Sequence, residues 1–335
     1  MEIVKLEDIC EIKTGNKNKE DESNYGKYPF YTRSTKILKS DDYTIDYKST
    51  IIPGEGVFIP LFNEGKAAVH QRVYIIKAKK EYILDKYLYY WWFLNKNILY
   101  KEAVGSTVKS LRKSNFEKPK INLPSIIVQK SIIDIIEPFE LKLSQIKNKL
   151  THIENITNQI INYDYKIINL FKDEEILFSK GINFKKGMIS ERKTNLLFIN
   201  VASINNNPNK YINEEFLNLK NVEIGDVILS LDGNTGLVNN FLTGINGYGY
   251  KIVSNKYSNF QLYYSLLSKI NQDIIKQNSH GTTIKHASKA KDQILLLDFK
   301  NNNLLKSLYE LDIKYKEISK KLTKIINLLI EFYVN

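Results

Sequence analysis

Between residues 125 and 165, apolar side chains recur as Ile132, Ile136, Phe139, Leu143, Ile146, Leu150, Ile153 and Ile160, a four-three alternation interrupted only by Thr157. That spacing is the seam of a coiled coil, a narrow apolar stripe that another helix must cover. The alternation returns as Leu304, Leu308, Leu311, Tyr315, Ile318, Leu322, Ile325, Leu329 and Phe332. Two long heptad helices are therefore predicted, and the simplest cover for each is the other, packed antiparallel. Pro138 falls inside the first stripe and lacks the amide a helix interior needs, so it is expected to start or kink the helix there.

What precedes each helix reads as a globular block. In the first, residues 4–15 form a short amphipathic element closed by Gly15. Tyr28-Pro29-Phe30-Tyr31 follows as an aromatic strand, and short strands then flank the turn Pro53-Gly54-Glu55-Gly56. A helix over 86–101 carries Tyr87, Leu88, Tyr90, Trp91 and Leu94 at helical spacing, and Gly105-Ser106-Thr107-Val108-Lys109 comes after it.

The second block repeats this order about 175 residues later. Residues 178–187 take the place of 6–15, and 222–229 that of 51–59. Leu262-Tyr263-Tyr264 takes that of Leu88-Tyr89-Tyr90, and Gly281-Thr282-Thr283-Ile284-Lys285 that of the Gly105 turn. No counterpart of the Tyr28-Pro29-Phe30 run is visible. The expected fold is thus α+β: two tandem globular domains, 1–124 and 173–302, with long helices over 125–172 and 303–335 pairing as an antiparallel coiled coil with pseudo-twofold symmetry. Such a pair would hold the domains on the order of 40 Å apart at about 1.5 Å of rise per residue. One turn of B-DNA is about 34–36 Å.

Composition narrows the function. A hydrophobic fraction of 43% supports real cores, and Lys plus Arg exceed Asp plus Glu by 49 to 37, an excess suited to a polyanionic partner. The single cysteine, Cys10, excludes an internal disulfide framework and a multi-cysteine zinc site. Acids interrupt the N-terminal stretch where a signal peptide would be apolar, and no apolar run reaches the roughly 18 residues of a membrane span. A cytoplasmic protein without a membrane partner is expected.

No catalytic set stands. Neither G-x-G-x-x-G nor the P-loop pattern occurs, and His70, His152, His280 and His286 lack metal-ligand spacing. Asp226 and Asp232 sit in turn sequences without the E-x-K of a nuclease. The better candidates contact nucleic acid. Thr107, Lys109, Arg112 and Lys113, with Thr283, Lys285, Lys289 and Lys291, follow equivalent glycine turns, where hydroxyls, amides and cations suit phosphate oxygens. For reading base edges, forked or amide side chains are needed. Tyr31, Arg33, Asn63, His70, Gln71 and Arg72 are the candidates in the first block; in the second they are Asn234 and the asparagines at 205–207 and 239–240. Each taken singly reads more readily as plain loop surface, and Gln71-Arg72 is the strongest choice. Trp91, Trp92, Tyr89, Tyr90, Tyr263 and Tyr264 read as core.

The order of these motifs resembles the specificity subunit of type I restriction-modification systems. The features that carry it are Val4-Lys5-Leu6 through Gly15, Tyr28-Pro29-Phe30, the two Gly-Ser/Thr-Thr turns, and Leu123-Pro124 with Gln129-Lys130 opening the central helix. The resemblance implies a non-catalytic reader without a cofactor of its own, whose two target recognition domains each recognise half of a bipartite double-stranded DNA sequence. Its helices would set the gap and dock two modification subunits, which bind S-adenosylmethionine and methylate a flipped-out adenine. A restriction subunit using ATP and Mg would join them. Other readings of the residues are an architectural nucleic-acid binder, a scaffold whose basic charge is incidental, and a nuclease with an unrecognised centre.

Overall fold

The computed structural model describes residues 2–79, 83–171, 175–182, 186–282 and 284–334; the candidate Thr283 and the expected boundary at 172/173 lie outside them. The chain divides into two units, Met1–Leu143 with Lys321–Asn335, and Ser144–Lys320. The second repeats the plan of the first.

The first unit runs β1 (Glu2–Lys5), α1 (Leu6–Ile9), β2 (Cys10–Thr14), β3 (Tyr28–Tyr31), β4 (Leu38–Ser40), β5 (Ile45–Asp46), β6 (Ser49–Pro53), β7 (Leu61–Asn63), β8 (Lys66–Val69), β9 (Val73–Ala78), α2 (Asp85–Glu102), α3 (Ser114–Glu117) and β10 (Lys120–Leu123), then enters α4 (Ile126–Tyr163). One antiparallel sheet has the order β2-β9-β6-β7; a second, β4-β3-β8-β5, has β3 and β8 parallel; β1 and β10 make a two-stranded ribbon. Alternation along the strands decides what each face covers. Ile51 and its cross-strand partner Ile75 pack on Tyr31, Ala67 and Val69 of the second sheet. Ile52 and Ile76 point the other way, into a core with Leu88 and Trp92 of α2.

Residues 4–15, expected as one amphipathic element, are strand, a single helical turn and strand. Leu6, Ile9, Cys10 and Ile12 are all buried, and burial pushes the Cys10 thiol up to about 12. Gly15 closes β2 because a Cβ there would lie 2.0 Å from the Val69 carbonyl oxygen.

The second unit runs β11 (Tyr165–Leu170), β12 (Ile176–Lys180), β13 (Ile189–Ser190), β14 (Leu196–Ile199), α5 (Val201–Ile204), β15 (Tyr211–Ile212), β16 (Val227–Leu229), β17 (Val238–Asn239), β18 (Gly244–Asn246), β19 (Tyr250–Ser254), α6 (Asn259–Leu267), α7 (Lys269–Gln277) and β20 (Leu295–Phe299), then α8 (Asn302–Val334). The order β12-β19-β16-β17 reproduces that of β2-β9-β6-β7, β14 and β18 are parallel as β3 and β8 are, and β11 with β20 repeats the ribbon before a long helix. The counterpart of the Tyr28-Pro29-Phe30 strand is therefore β14, which shares its pairing and not its sequence. Leu262, Tyr263 and Tyr264 repeat the buried, half-buried, buried sequence of Leu88, Tyr89 and Tyr90.

Strand pairing also corrects two sequence matches. Thr14 faces Tyr74 and Lys180 faces Tyr250, so Gly181, not Gly187, holds the place of Gly15. A Cβ on Gly181 would meet the Gly247 backbone at 2.4 Å. Likewise β16 matches β6, so the turn after β6, Gly54-Glu55-Gly56, corresponds to Leu231-Asp232-Gly233 and not to the turn before β16.

In the first unit Ile132 and Ile136 of α4 pack with Ile326, Ile330 and Val334 of α8; in the second Ile161 packs with Leu305 and Tyr309. Early residues of one helix meet late residues of the other, which makes the pairing antiparallel. Thr157 keeps its seam position because its hydroxyl donates to the Ile153 carbonyl at 2.7 Å, so burial leaves no orphaned donor. Two expectations change. Helix α4 does not start at Pro138, the first of the two expected effects; the residue lies inside it on the exposed side. On α8, Leu304, Leu311, Ile325 and Phe332 are exposed, while Leu305, Tyr309, Ile326, Ile330 and Val334 are buried. Adjacent apolar pairs such as Leu304-Leu305 and Ile325-Ile326 offer two overlapping stripes, and globular cores select between them. Tyr309, for example, packs edge-on against Tyr263 and Tyr264 and donates to the Gly225 carbonyl at 2.7 Å.

Adjacent truncations test that register. Leu305→Ala should lower unfolding free energy by about 2–5 kcal/mol, whereas Leu304→Ala should change it by only about 0.5 kcal/mol; urea denaturation of each variant measures both.

Candidate nucleic-acid interface

In each unit the strand that ends in an acidic turn is stitched by backbone hydrogen bonds to a glycine loop. In the first unit the loop closes on itself through Val104 and Ser110, whose amides donate to each other's carbonyls at 3.0 and 2.7 Å. Gly105 makes the closure possible: its φ is +120°, and a Cβ would fall 2.3 Å from the Val108 carbonyl oxygen. The closed loop is then fixed to the turn after β6, since the Gly56 amide donates to Lys109 at 2.9 Å and the Leu111 amide to Gly54 at 2.8 Å. Leu111 is buried, whereas residues 105–109 are exposed.

At this junction two other turns converge. Arg33, after β3, donates from Nη1 to Glu55 Oε2 at 2.9 Å, and Arg72, between β8 and β9, makes a close ion pair with Glu55 Oε1. Both guanidiniums remain more than half exposed while the carboxylate between them is largely covered. The hydrogen bond from Arg33, reinforced by Arg72, holds the Glu55 carboxyl below its ordinary value in spite of its desolvation. His70 is buried below them, and its Nδ1 accepts from the Arg72 amide at 3.0 Å. Burial, then the two arginine charges, push its pKa down, so at neutral pH it is an uncharged prop for the turn.

The second unit repeats the frame. His280 and His286 exchange amide–carbonyl bonds of 3.0 and 2.8 Å, Gly281 has φ +113° with a Cβ position 2.1 Å from the Ile284 carbonyl oxygen, Gly233 donates to Lys285 at 2.8 Å, and Ala287 to Leu231 at 2.8 Å. Asp232 here pairs with His286, Oδ1 to Nδ1 at 2.7 Å. Beside the loop lies an open polar cleft of about 730 Å³, lined by Asn234, Thr235, Gln272, Lys276, Ser279 and Lys285 among others.

Residues 1–155 match the family model described as the type I restriction modification DNA specificity domain. Over 175 residues the chain is 25% identical to the type I restriction enzyme EcoDI specificity subunit of Escherichia coli, a match covering 52% of this chain and 38% of that protein. The chain thus spans less than half the length of the curated relative it matches. The crystal structure of a type I restriction-modification system S subunit from M. genitalium is similar in fold, with a TM-score of 0.60 at 16% identity, covering 100% of this chain and 96% of that one.

Within the matched segment, Arg33, Gln71, Arg72, Thr107, Lys109, Arg112 and Lys113 are exposed around the acidic turn and glycine loop. Gln71 donates to Asn18 Oδ1 at 2.6 Å, the Arg112 amide donates to Asn115 Oδ1 at 2.6 Å, and Lys113 pairs with Glu117 at 3.3 Å. Two candidates are not loop residues. Tyr31 ends β3, buried, with its hydroxyl aimed at the Phe62 carbonyl at 3.4 Å. Asn63 ends β7, where its buried amide donates to Tyr47 and Gly65 carbonyls at 2.9 and 2.7 Å. Both satisfy the interior, as buried polar groups must. In the second unit Asn234, Lys285 and Lys289 are exposed, but Lys291 is drawn inward over the Tyr250 ring at 3.6 Å. Asn239 and Asn240 are likewise buried. Among the described residues no group of three or more His, Cys, Asp or Glu is placed to hold a metal ion, and no helix is long and apolar enough to cross a membrane.

Sequence reasoning passed over Glu55, Asp232 and His286. Alignment on the glycine loops alone does not find the pair, because it sets Leu231 opposite Glu55; strand register, in which Ile52 and Leu229 face Tyr74 and Tyr250, brings Asp232 to that place.

If the loop depends on its glycine, Gly105→Ala and Gly281→Ala should each lose about 1–3 kcal/mol through forced left-handed backbone. Chemical denaturation and loop-localised hydrogen exchange would register that loss.

Proposed function

We propose that this chain is the non-catalytic sequence reader of a type I restriction-modification complex, with residues 1–124 and 173–302 as target recognition domains for the two halves of a bipartite DNA duplex. The observation that carries the reading is the twice-built glycine loop, which presents exposed cations beside an acidic turn in each unit. The matched specificity domain and the net charge of +12 support it. Lys109, Arg112, Lys113, Lys285 and Lys289 contact phosphates and fix register, with Thr107 adding a hydroxyl; such contacts position without specifying sequence. Arg33, Gln71, Arg72 and Asn234 reach base edges.

The helices over 125–172 and 303–335 set the gap between half-sites and dock two modification subunits. Those partners hold S-adenosylmethionine and carry out adenine methylation, and a restriction subunit supplies ATP- and Mg-dependent cleavage, all in the cytoplasm. The chain itself provides affinity and sequence choice.

Methylome sequencing of the native host with and without this gene tests the role: methylated adenine at one split motif of fixed gap should vanish with the gene. Unchanged methylation would overturn it. In solution, Lys109→Ala and Lys285→Ala should each weaken binding to all duplexes alike and reduce the slope of log affinity against log salt by about one, read by fluorescence anisotropy across a salt series. A general binder would show the same steep slope with no preference among sequences.

A further inference from the structure

Backbone bonding makes Glu55 and Asp232 structurally equivalent. Each follows the same strand, precedes a glycine of positive φ (+78° at Gly56, +72° at Gly233), and bridges the closing residue of its glycine loop, Ser110 in one unit and His286 in the other. What differs is the hydrogen-bonding group each carboxylate holds. Around Glu55 the turns after β3 and β8 deliver Arg33 and Arg72, and the loop supplies only the small Ser110. Around Asp232 the corresponding positions are Val201, which opens α5, and the turn Gly247-Tyr248-Gly249, none of them basic, and the loop supplies His286.

We propose that Glu55 and Asp232 are positioning residues that each orient the base-reading group of their own half-site, the Arg33–Arg72 pair in the first unit and His286 in the second. This deepens the reading of the chain as a split-site reader and rests on it. Three observations carry the assignment: a covered carboxylate between two exposed guanidiniums, the same backbone frame in both units, and a replacement partner drawn from the glycine loop where the arginines are missing. A mobile arginine reads poorly, because its fork must be ordered on binding; one shared carboxylate removes much of that freedom beforehand.

The two groups differ in what they recognise. Guanidinium is donor only and matches the O6 and N7 acceptors of guanine. A carboxylate only accepts, so His286 donates through Nδ1 to Asp232, which turns Nε2 outward, where an unprotonated Nε2 accepts from an exocyclic amino group of adenine or cytosine. The first half-site therefore contains a guanine opposite Arg33 and Arg72, and the second an adenine or cytosine opposite His286.

The test is selection of duplexes from a library with two randomised half-sites by the full-length chain, followed by competition binding of variants against the selected site. Glu55→Gln should reduce discrimination at one guanine of the first half-site by about tenfold or more, with the second half-site and the salt slope unchanged. Arg33→Ala and Arg72→Ala should lose discrimination at that half-site only, and Asp232→Asn should act in the second half-site alone. Unchanged preference in Glu55→Gln overturns the proposal. So does loss in both half-sites together with a lowered melting temperature, which would mark Glu55 as merely structural. A wild-type chain that selects no split site fails the underlying reading itself, before any variant is compared, and the proposal falls with it.

Discussion

The candidate interface depends on a few main-chain hydrogen bonds: those that close each glycine loop and those that tie it to the turn after β6 or β16. They need only one thing from the sequence, a residue without Cβ at positions 105 and 281, where any side chain would strike the loop's own carbonyl. Because the frame is made by backbone, the surrounding side chains are free to differ. Serine stands at 110 where histidine stands at 286, and arginine at 33 where valine stands at 201. The proposed role as a sequence reader calls for that separation, with backbone making the scaffold and unconstrained side chains around it.

The frame is rigid because it is backed by packed layers. Leu111 and Ala287, the residues leaving each loop, are buried, and each anchors its loop to the core beneath. In the first unit that core extends through Trp92 and Phe116 to Ile132, Ile136 and the end of α8. Lys86 and the Tyr90 hydroxyl both reach Glu140 of α4, at 2.9 and 3.0 Å, in a half-buried cluster where the charge is paired and hydrogen-bonded as burial demands. The loop, the helix that precedes it and the start of α4 thus belong to one continuous packing unit, so the orientation of the loop is inherited from the helix seam.

Much of this was legible in the sequence, and what was not has identifiable causes. The middle of the α4 seam could be read residue by residue, because Ile146 and Ile153 have polar neighbours, whereas Ile160-Ile161 offers two choices and the core takes Ile161. The α8 seam was ambiguous for the opposite reason: Leu304-Leu305 and Ile325-Ile326 fit two registers, and only the domain cores choose. The glycine loops were visible as a repeat because backbone geometry restricts residue type there. The strand β14 was invisible as the counterpart of Tyr28–Tyr31, since strand pairing constrains hydrogen bonds far more than side chains. Tyr31 and Asn63 were misread as loop surface because polar side chains that satisfy an interior look the same in sequence as those that face a ligand. Glu55 was dismissed as turn chemistry, a reading that held for its backbone and missed its partners, which come from 22 and 17 residues away.

That last miss identifies where sequence ends and structure begins for a protein of this kind. A carboxylate beside glycine is ordinary, and so are an arginine after a strand and another in a tight turn. Their meaning lies in convergence: three segments, each shaped by its own strand pairing, place two exposed guanidiniums on one covered carboxylate. The second unit gives the control that a single domain lacks. There the same backbone position keeps its acid although both arginines are absent, and a histidine enters from the loop to meet it. Retention of the carboxylate with a change of partner is what an orienting role requires; a salt bridge kept only for stability would have no reason to retain one half when the other was lost, since an exposed ion pair contributes only about 0–1 kcal/mol.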